Sequence, residues 1–144
     1  MDSKKIFIII SLFTMLFVGR MSAQQKVVYF ANGSGVSSLK DDKLTRVFTG
    51  KETYWGNDKQ IVVCLPSTKS ESSTEVCQKV YHQSVKDVQK FWLSIVFQGR
   101  AKSPKFSDTE QEMIDFVKRN PGAIGVLPLD KKSMIPGGLI ITSI

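Results

Sequence analysis

Four hydroxyl side chains crowd one short stretch: Ser70, Ser72, Ser73 and Thr74. Just upstream, Ile61 to Leu65 (IVVCL) is apolar and β-branched, which predicts a buried strand stopped by Pro66. Just downstream, Val76, Cys77, Val80 and Tyr81 share one helical face, which predicts a helix from about Thr74 to Gln83. The hydroxyls therefore fall where a helix begins after a strand. Free backbone N–H groups and the positive end of the helix dipole favour an anion there, and hydroxyls add donors suited to oxyanions. Capping is the simpler role. Ser72-Ser73-Thr74-Glu75 fits a capping box with Ser72 as N-cap and Glu75 at the third helical position, and Glu71 and Glu75 would repel an anion.

Two other positions have anion-binding chemistry. Arg100 sits in the loop Gly99 to Lys105 with Lys102, Lys105 and Pro104. Its guanidinium fork suits phosphate or carboxylate, although a solvated surface loop explains it as well. Ser34 lies in the turn Asn32-Gly33-Ser34-Gly35, where backbone amides could form an anion nest or simply a turn. Cys64 and Cys77 are the two cysteines. They could close a loop of about 14 residues as a disulfide, contributing roughly 3 kcal/mol, or stay as two buried thiols. Their spacing suits neither zinc nor a redox C-x-x-C pair.

Catalysis finds little support. His82 is the single histidine, so a multi-histidine metal site is excluded, and it reads as a solvated helix position. No P-loop, G-x-S-x-G elbow or H-E-x-x-H motif occurs. Cys77 and His82 stand five positions apart, which turns them in different directions on a helix. Asp108, Glu110, Glu112 and Asp115 cluster at one helix, where acidic residues in the first turn complement the dipole without any catalytic role. The expectation is a non-enzyme with no cofactor and no metal.

The elements that must position these residues alternate. Val27 to Ala31 (VVYFA) predicts an opening strand, and Leu39, Leu44, Val47 and Phe48 a short helix ended by Gly50. Trp55-Gly56-Asn57-Asp58 reads as a tight turn. A second long helix is predicted from Val85 to Gln98 on the spacing of Val88, Trp92, Ile95 and Val96. Ser107-Asp108-Thr109-Glu110 opens a third with another capping-box pattern, and Asn120-Pro121-Gly122 ends it. Ala123 to Pro128 and Leu139 to Ile144 read as strands. Trp55, Phe48, Trp92 and Phe97 are expected to fill the core, while Gly122 and Gly125 serve a turn and close strand packing. The alternation indicates an α/β domain around a small mixed sheet flanked by helices.

The chain has 144 residues, 42% of them hydrophobic and 23% charged, proportions that suit one globular domain. Its N-terminus is organised differently. Two lysines, Lys4 and Lys5, precede Ile6 to Val18, an uncharged run of about 13 residues; a membrane span takes about 20. Ser22 and Ala23 then supply small residues for cleavage. Residues 1–23 are therefore expected to be a signal peptide, forming a helix ahead of a domain at 24–144. No cysteine follows the apolar run, so a lipoprotein is not expected. The formal charge is +7, and residues 1–23 hold Lys4, Lys5 and Arg20 against Asp2, leaving about +5 on the remainder. That balance favours small anions and acidic surfaces; export argues against nucleic acid as a partner.

Three stretches together resemble one family. Val36-Ser37-Ser38-Leu39 with Leu44-Thr45-Arg46-Val47-Phe48-Thr49-Gly50-Lys51 and Trp55 is similar to a segment of phosphate-type solute-binding proteins of ABC transporters. Phe91-Trp92 with Phe97-Gln98-Gly99-Arg100 is similar to a second segment, and Asn120-Pro121-Gly122-Ala123-Ile124-Gly125-Val126 to a third. The resemblance implies one lobe of a periplasmic-binding-protein-like fold, working in the periplasm or otherwise outside the inner membrane. It implies a small oxyanion such as phosphate as ligand; an inner-membrane transporter or sensor component is the expected protein partner. Full members close two lobes on the ligand, and their S-G-T motif opens a helix on the oxyanion; Ser72-Ser73-Thr74 stands here without the glycine. An exported interaction protein that kept one lobe and lost the ligand is the alternative.

Overall fold

A computed structural model of the chain describes residues 26–144. The signal-peptide reading of residues 1–23 lies outside the described residues. Six strands form one mixed sheet: β1 (Val27–Ala31), β2 (Ser38–Leu39), β3 (Val62–Pro66), β4 (Lys105–Ser107), β5 (Ala123–Pro128) and β6 (Ile140–Ser143). Their spatial order is β2-β6-β1-β5-β3-β4. β3 runs parallel to both β4 and β5, whereas β1 is antiparallel to β5 and β6. Four helices cover the sheet: α1 (Asp41–Phe48), α2 (Ser73–Tyr81), α3 (Val85–Phe97) and α4 (Glu110–Arg119). Short 3-10 turns follow β5 at Leu129–Met134 and precede β6 at Gly137–Leu139.

Strand alternation divides the core in two. On β3, Val63 and Leu65 join one cluster with Val47, Phe48, Val76 and Trp92; Cys64 joins the other with Met113, Ile114 and Val117. On β5, Ile124 and Val126 take the first side, and Ala123 and Leu127 the second. The period of two therefore sends α1, α2 and α3 to one face and α4 to the other. Every residue of β5 is buried, which explains why its sequence runs apolar instead of alternating. Gly125 at its centre pairs with Phe30, and a Cβ there would come within 2.6 Å of the Phe30 ring.

Several expectations are corrected by these contacts. Leu39 belongs to β2 rather than to the helix, because residues 38–39 pair with Thr142 and Ser143. Lys105 closes no loop: it opens β4, paired to Cys64. Phe97 is not in the core but 83% exposed. It lies five residues past Trp92, and at about 100° per residue that step turns it well away from the buried face. Trp55, Phe48 and Trp92 are buried as expected. The turn after Trp55 also forms, with Asp58 in the left-handed region at φ 63° and its N–H donating to the Trp55 carbonyl at 3.0 Å.

No disulfide joins Cys64 and Cys77; both are buried thiols. The physical reason is the sheet itself, since Cys64 faces the α4 side and Cys77 the α2 side. Burial pushes the Cys64 thiol up to about 12 and the Cys77 thiol up to about 11. Tyr29 is raised to about 12, chiefly by burial and then by Asp41, and burial raises Tyr81 further. Raised acid groups stabilise the fold fully below their unfolded values, and that stability is lost as pH climbs toward the folded ones. The denaturation midpoint is thus expected to hold to about pH 9 and to fall steadily above it. Chemical denaturation across this range checks it, and a flat profile up to pH 11 would contradict these buried acids.

Candidate functional site

Parallel pairing of β3 with β4 brings two helix starts together. β3 leads through Ser67–Ser72 into α2, and β4 leads through Asp108 and Thr109 into α4. The Ser67 N–H donates to the Ser107 carbonyl at 2.8 Å, which joins the two loops at their roots. Ser67 Oγ donates to Asp108 Oδ1 and accepts from the Lys69 N–H at 3.1 Å. The first 3-10 turn, after β5, belongs to the same end of the sheet because β5 is parallel to β3.

The hydroxyl cluster is mostly committed to local bonds. Ser70 Oγ accepts from the Ser72 N–H at 3.3 Å, and the Ser70 carbonyl accepts from Ser73 Oγ at 2.8 Å. Ser70, Ser72 and Ser73 are buried, whereas Thr74 is exposed. The expected capping box is absent. Ser72 occupies the N-cap position of α2, but its backbone is helical and its side chain accepts no cap bond. Ser72 Oγ instead donates to Glu110 Oε1, across to α4. The box expected at Ser107 is also displaced. Thr109 is the N-cap of α4, accepting from the Glu112 N–H at 3.1 Å, while Glu112 Oε2 accepts from the Asp108 N–H at 2.9 Å.

The Glu110 carboxyl is the centre of this arrangement. It is held below the usual carboxylate range by the Ser72 hydroxyl first, then by a bond from its own backbone N–H, with Lys131 adding favourable charge. An oxygen anion is thereby stabilised at the start of α2 by a hydroxyl donor and by a lysine from the 3-10 turn. Lys69 lies 3.9 Å from Asp108 Oδ2 on a side chain 79% exposed. Beneath, the Ser107 hydroxyl is fully buried and finds no partner among the described residues.

Ser34 and Arg100 do not join this cluster. β1 is antiparallel to β5, so the loop after β1 emerges at the opposite end of the sheet. Ser34 Oγ donates to the Val36 carbonyl at 3.0 Å in a turn that lines an open depression of about 440 Å³ with Gly33, Gly35 and Gly138. Arg100 precedes β4 at that same end and is exposed, its Nη1 donating to Gln98 Oε1 at 3.3 Å. His82 caps α2 in the left-handed conformation at φ 54° and is exposed. Sequence reasoning missed Ser67, Asp108, Glu110 and Lys131 as neighbours of the serines. The acidic start of α4 was the available signal, but the dipole alone accounts for it.

No family model matches the chain, and no curated protein matches it in sequence. Solved structures do share its fold. One is an ABC-type phosphate transport receptor from Vibrio cholerae, with a TM-score of 0.53 at 16% identity, covering 83% of this chain and 46% of that one. Another is PstS from Borrelia burgdorferi, with a TM-score of 0.57 at 15% identity, covering 83% and 47%. The chain thus spans less than half the length of either structure. At such identities the likeness is one of fold, and it is the fold that the sequence resemblance implied: an α/β unit matching part of a phosphate-receptor structure.

Proposed function

We propose that the chain is an exported solute-binding module, with residues 1–23 as a cleaved signal peptide and 24–144 as the domain. On this reading it holds a small oxyanion such as phosphate where α2 and α4 begin, and it delivers that ligand to an inner-membrane transporter or sensor component without transforming it. The Glu110 carboxylate seated on Ser72 carries the proposal: the protein's own oxygen anion already uses one of the donors an oxyanion would need, the Ser72 hydroxyl. Ser72 Oγ, Thr74 Oγ1 and the N–H groups of Thr74 and Glu75 in the first turn of α2 would bind the ligand, since those of Ser73 and Val76 already serve the Ser70 and Ser72 carbonyls, and Lys131 and Lys69 would supply opposing charge. Glu110 would have to swing aside, so it competes with the ligand. One lobe also encloses little of a ligand's surface. Binding by the isolated chain is therefore expected to be weak, with Kd roughly millimolar.

Isothermal titration with phosphate, with sulfate for comparison, tests this. Glu110→Gln keeps the size of the side chain and removes its charge, so it is expected to tighten binding about tenfold, a change of about 1.4 kcal/mol. Ser72→Ala and Thr74→Ala are expected to weaken it. Flat titrations of both the native protein and Glu110→Gln at millimolar ligand would overturn the assignment.

A further inference from the structure

The outer face of α3 carries a stripe that nothing in the fold explains. Its inward residues Val88, Trp92 and Ile95 are at most 3% exposed. Directly opposite stand Lys86, Lys90, Leu93 and Phe97, which fall within roughly 60° of one another at about 100° per residue. Leu93 is 57% exposed and Phe97 83% exposed. These are not core residues leaking at an edge, because the helix turns them as far from the sheet as its geometry allows. Burying them against a partner would remove a substantial apolar surface from water.

Cations outnumber acids around the stripe. Lys86 and Lys90 precede the apolar pair in line, and Arg100 and Lys102 follow it in the next loop. None of the four makes an ion pair among the described residues. Lys102 donates to Gln60 Oε1 at 2.8 Å and Arg100 to Gln98, both neutral partners. Asp87, the one acid of α3, sits in its first turn about 80° from Phe97 and so off the stripe. A second copy of the chain is a poor occupant, since pairing in either sense would bring two sets of cations together with no ion-paired acid to offset them. A flat anionic surface is a good one. From Lys86 to Phe97 the stripe runs about 17 Å along the helix, enough to lie in a headgroup layer with lysine stems extended and Phe97 inserted.

We infer that the outer face of α3, with Phe97 and Leu93 as apolar anchors and Lys86, Lys90 and Arg100 as cations, docks on an anionic phospholipid surface. This does not depend on oxyanion binding at α2. The test must report from α3 itself, because the apolar run at residues 6–18 would bind vesicles unaided. Ser94→Cys, on the exposed side of α3, carries an environment-sensitive fluorophore; both native cysteines are buried and slow to label. Vesicles of one-third phosphatidylglycerol in phosphatidylcholine are expected to shift its emission to the blue, and pure phosphatidylcholine is not. Lys86→Glu with Lys90→Glu is expected to weaken that response tenfold or more, as is about 0.5 M NaCl. Phe97→Ser with Leu93→Ser is expected to abolish the blue shift. No response to anionic vesicles, an equal response to neutral ones, or a blue shift that depends on protein concentration without lipid would overturn the inference. The last result would point to a second copy instead.

Discussion

Gly122→Ala is expected to destabilise the domain by about 3 kcal/mol or more, the largest loss anticipated for so small a change. Gly122 sits at φ 98°, a conformation that side-chain-bearing residues rarely adopt. An added Cβ would also stand 2.2 Å from the Gln60 carbonyl oxygen, which is backbone and cannot swing away. The position is tied on every side. Its N–H donates to the Asn32 carbonyl at 2.7 Å, and its carbonyl accepts from the Val62 N–H at 3.1 Å and from Trp55 Nε1 at 2.9 Å. Relieving the clash would strain the junction between the loop after β1, the start of β3 and the start of β5. For a domain near this size the loss corresponds to more than about 10 °C in Tm. Gly56→Ala is the control: nothing lies within 4 Å of its Cβ position, so a change within about 0.5 kcal/mol is expected. Calorimetry of the two variants decides the matter, and equal melting temperatures would refute the argument.

Trp92→Ala is expected to cost about 3–5 kcal/mol. The indole is 2% exposed and packs at its edge against Phe91, with ring centroids 5.9 Å apart. Its Nε1–H donates to Tyr81 Oη at 3.0 Å, which fastens α3 to the end of α2. A cavity of about 150 Å³ already adjoins it, lined by Val47, Gly50 and Ile61 among others, so truncation enlarges an existing void. Trp92→Phe refills much of that volume but leaves the Tyr81 hydroxyl without its donor. It should cost about 1–2 kcal/mol. Urea denaturation separates the two, and a Trp92→Ala loss below about 1 kcal/mol would show that the core closes over the gap.

The long periodic segments were legible, and the short ones were not. Val27–Ala31 and Ala123–Pro128 were readable as strands to the residue, and α3 ended within one residue of its expected limit. β2 and β4 escaped because strands of two and three residues hold too little pattern; their pairing with β6 and β3 makes them strands. Phe97 was misassigned on its type, although its offset from Trp92 already placed it off the buried stripe. Of the candidate site, the helix start at Ser72–Thr74 was legible from the break between an apolar strand and an apolar helical face. The commitment of Ser72 to Glu110 was not, since 38 residues separate them.

The sequence by itself determined the α/β alternation, the apolar faces and the concentration of hydroxyls at one helix start. All of these follow from local periodicity and from the chemistry of single residues. Only the tertiary structure decided which charges meet. Parallel pairing of β3 with β4 sets Glu110 over Ser72, and strand alternation parts Cys64 from Cys77. The direction of β1 carries Ser34 to the far end of the sheet. Those outcomes depend on the order and sense of strands distant in the chain, where the energy lies in contacts between segments.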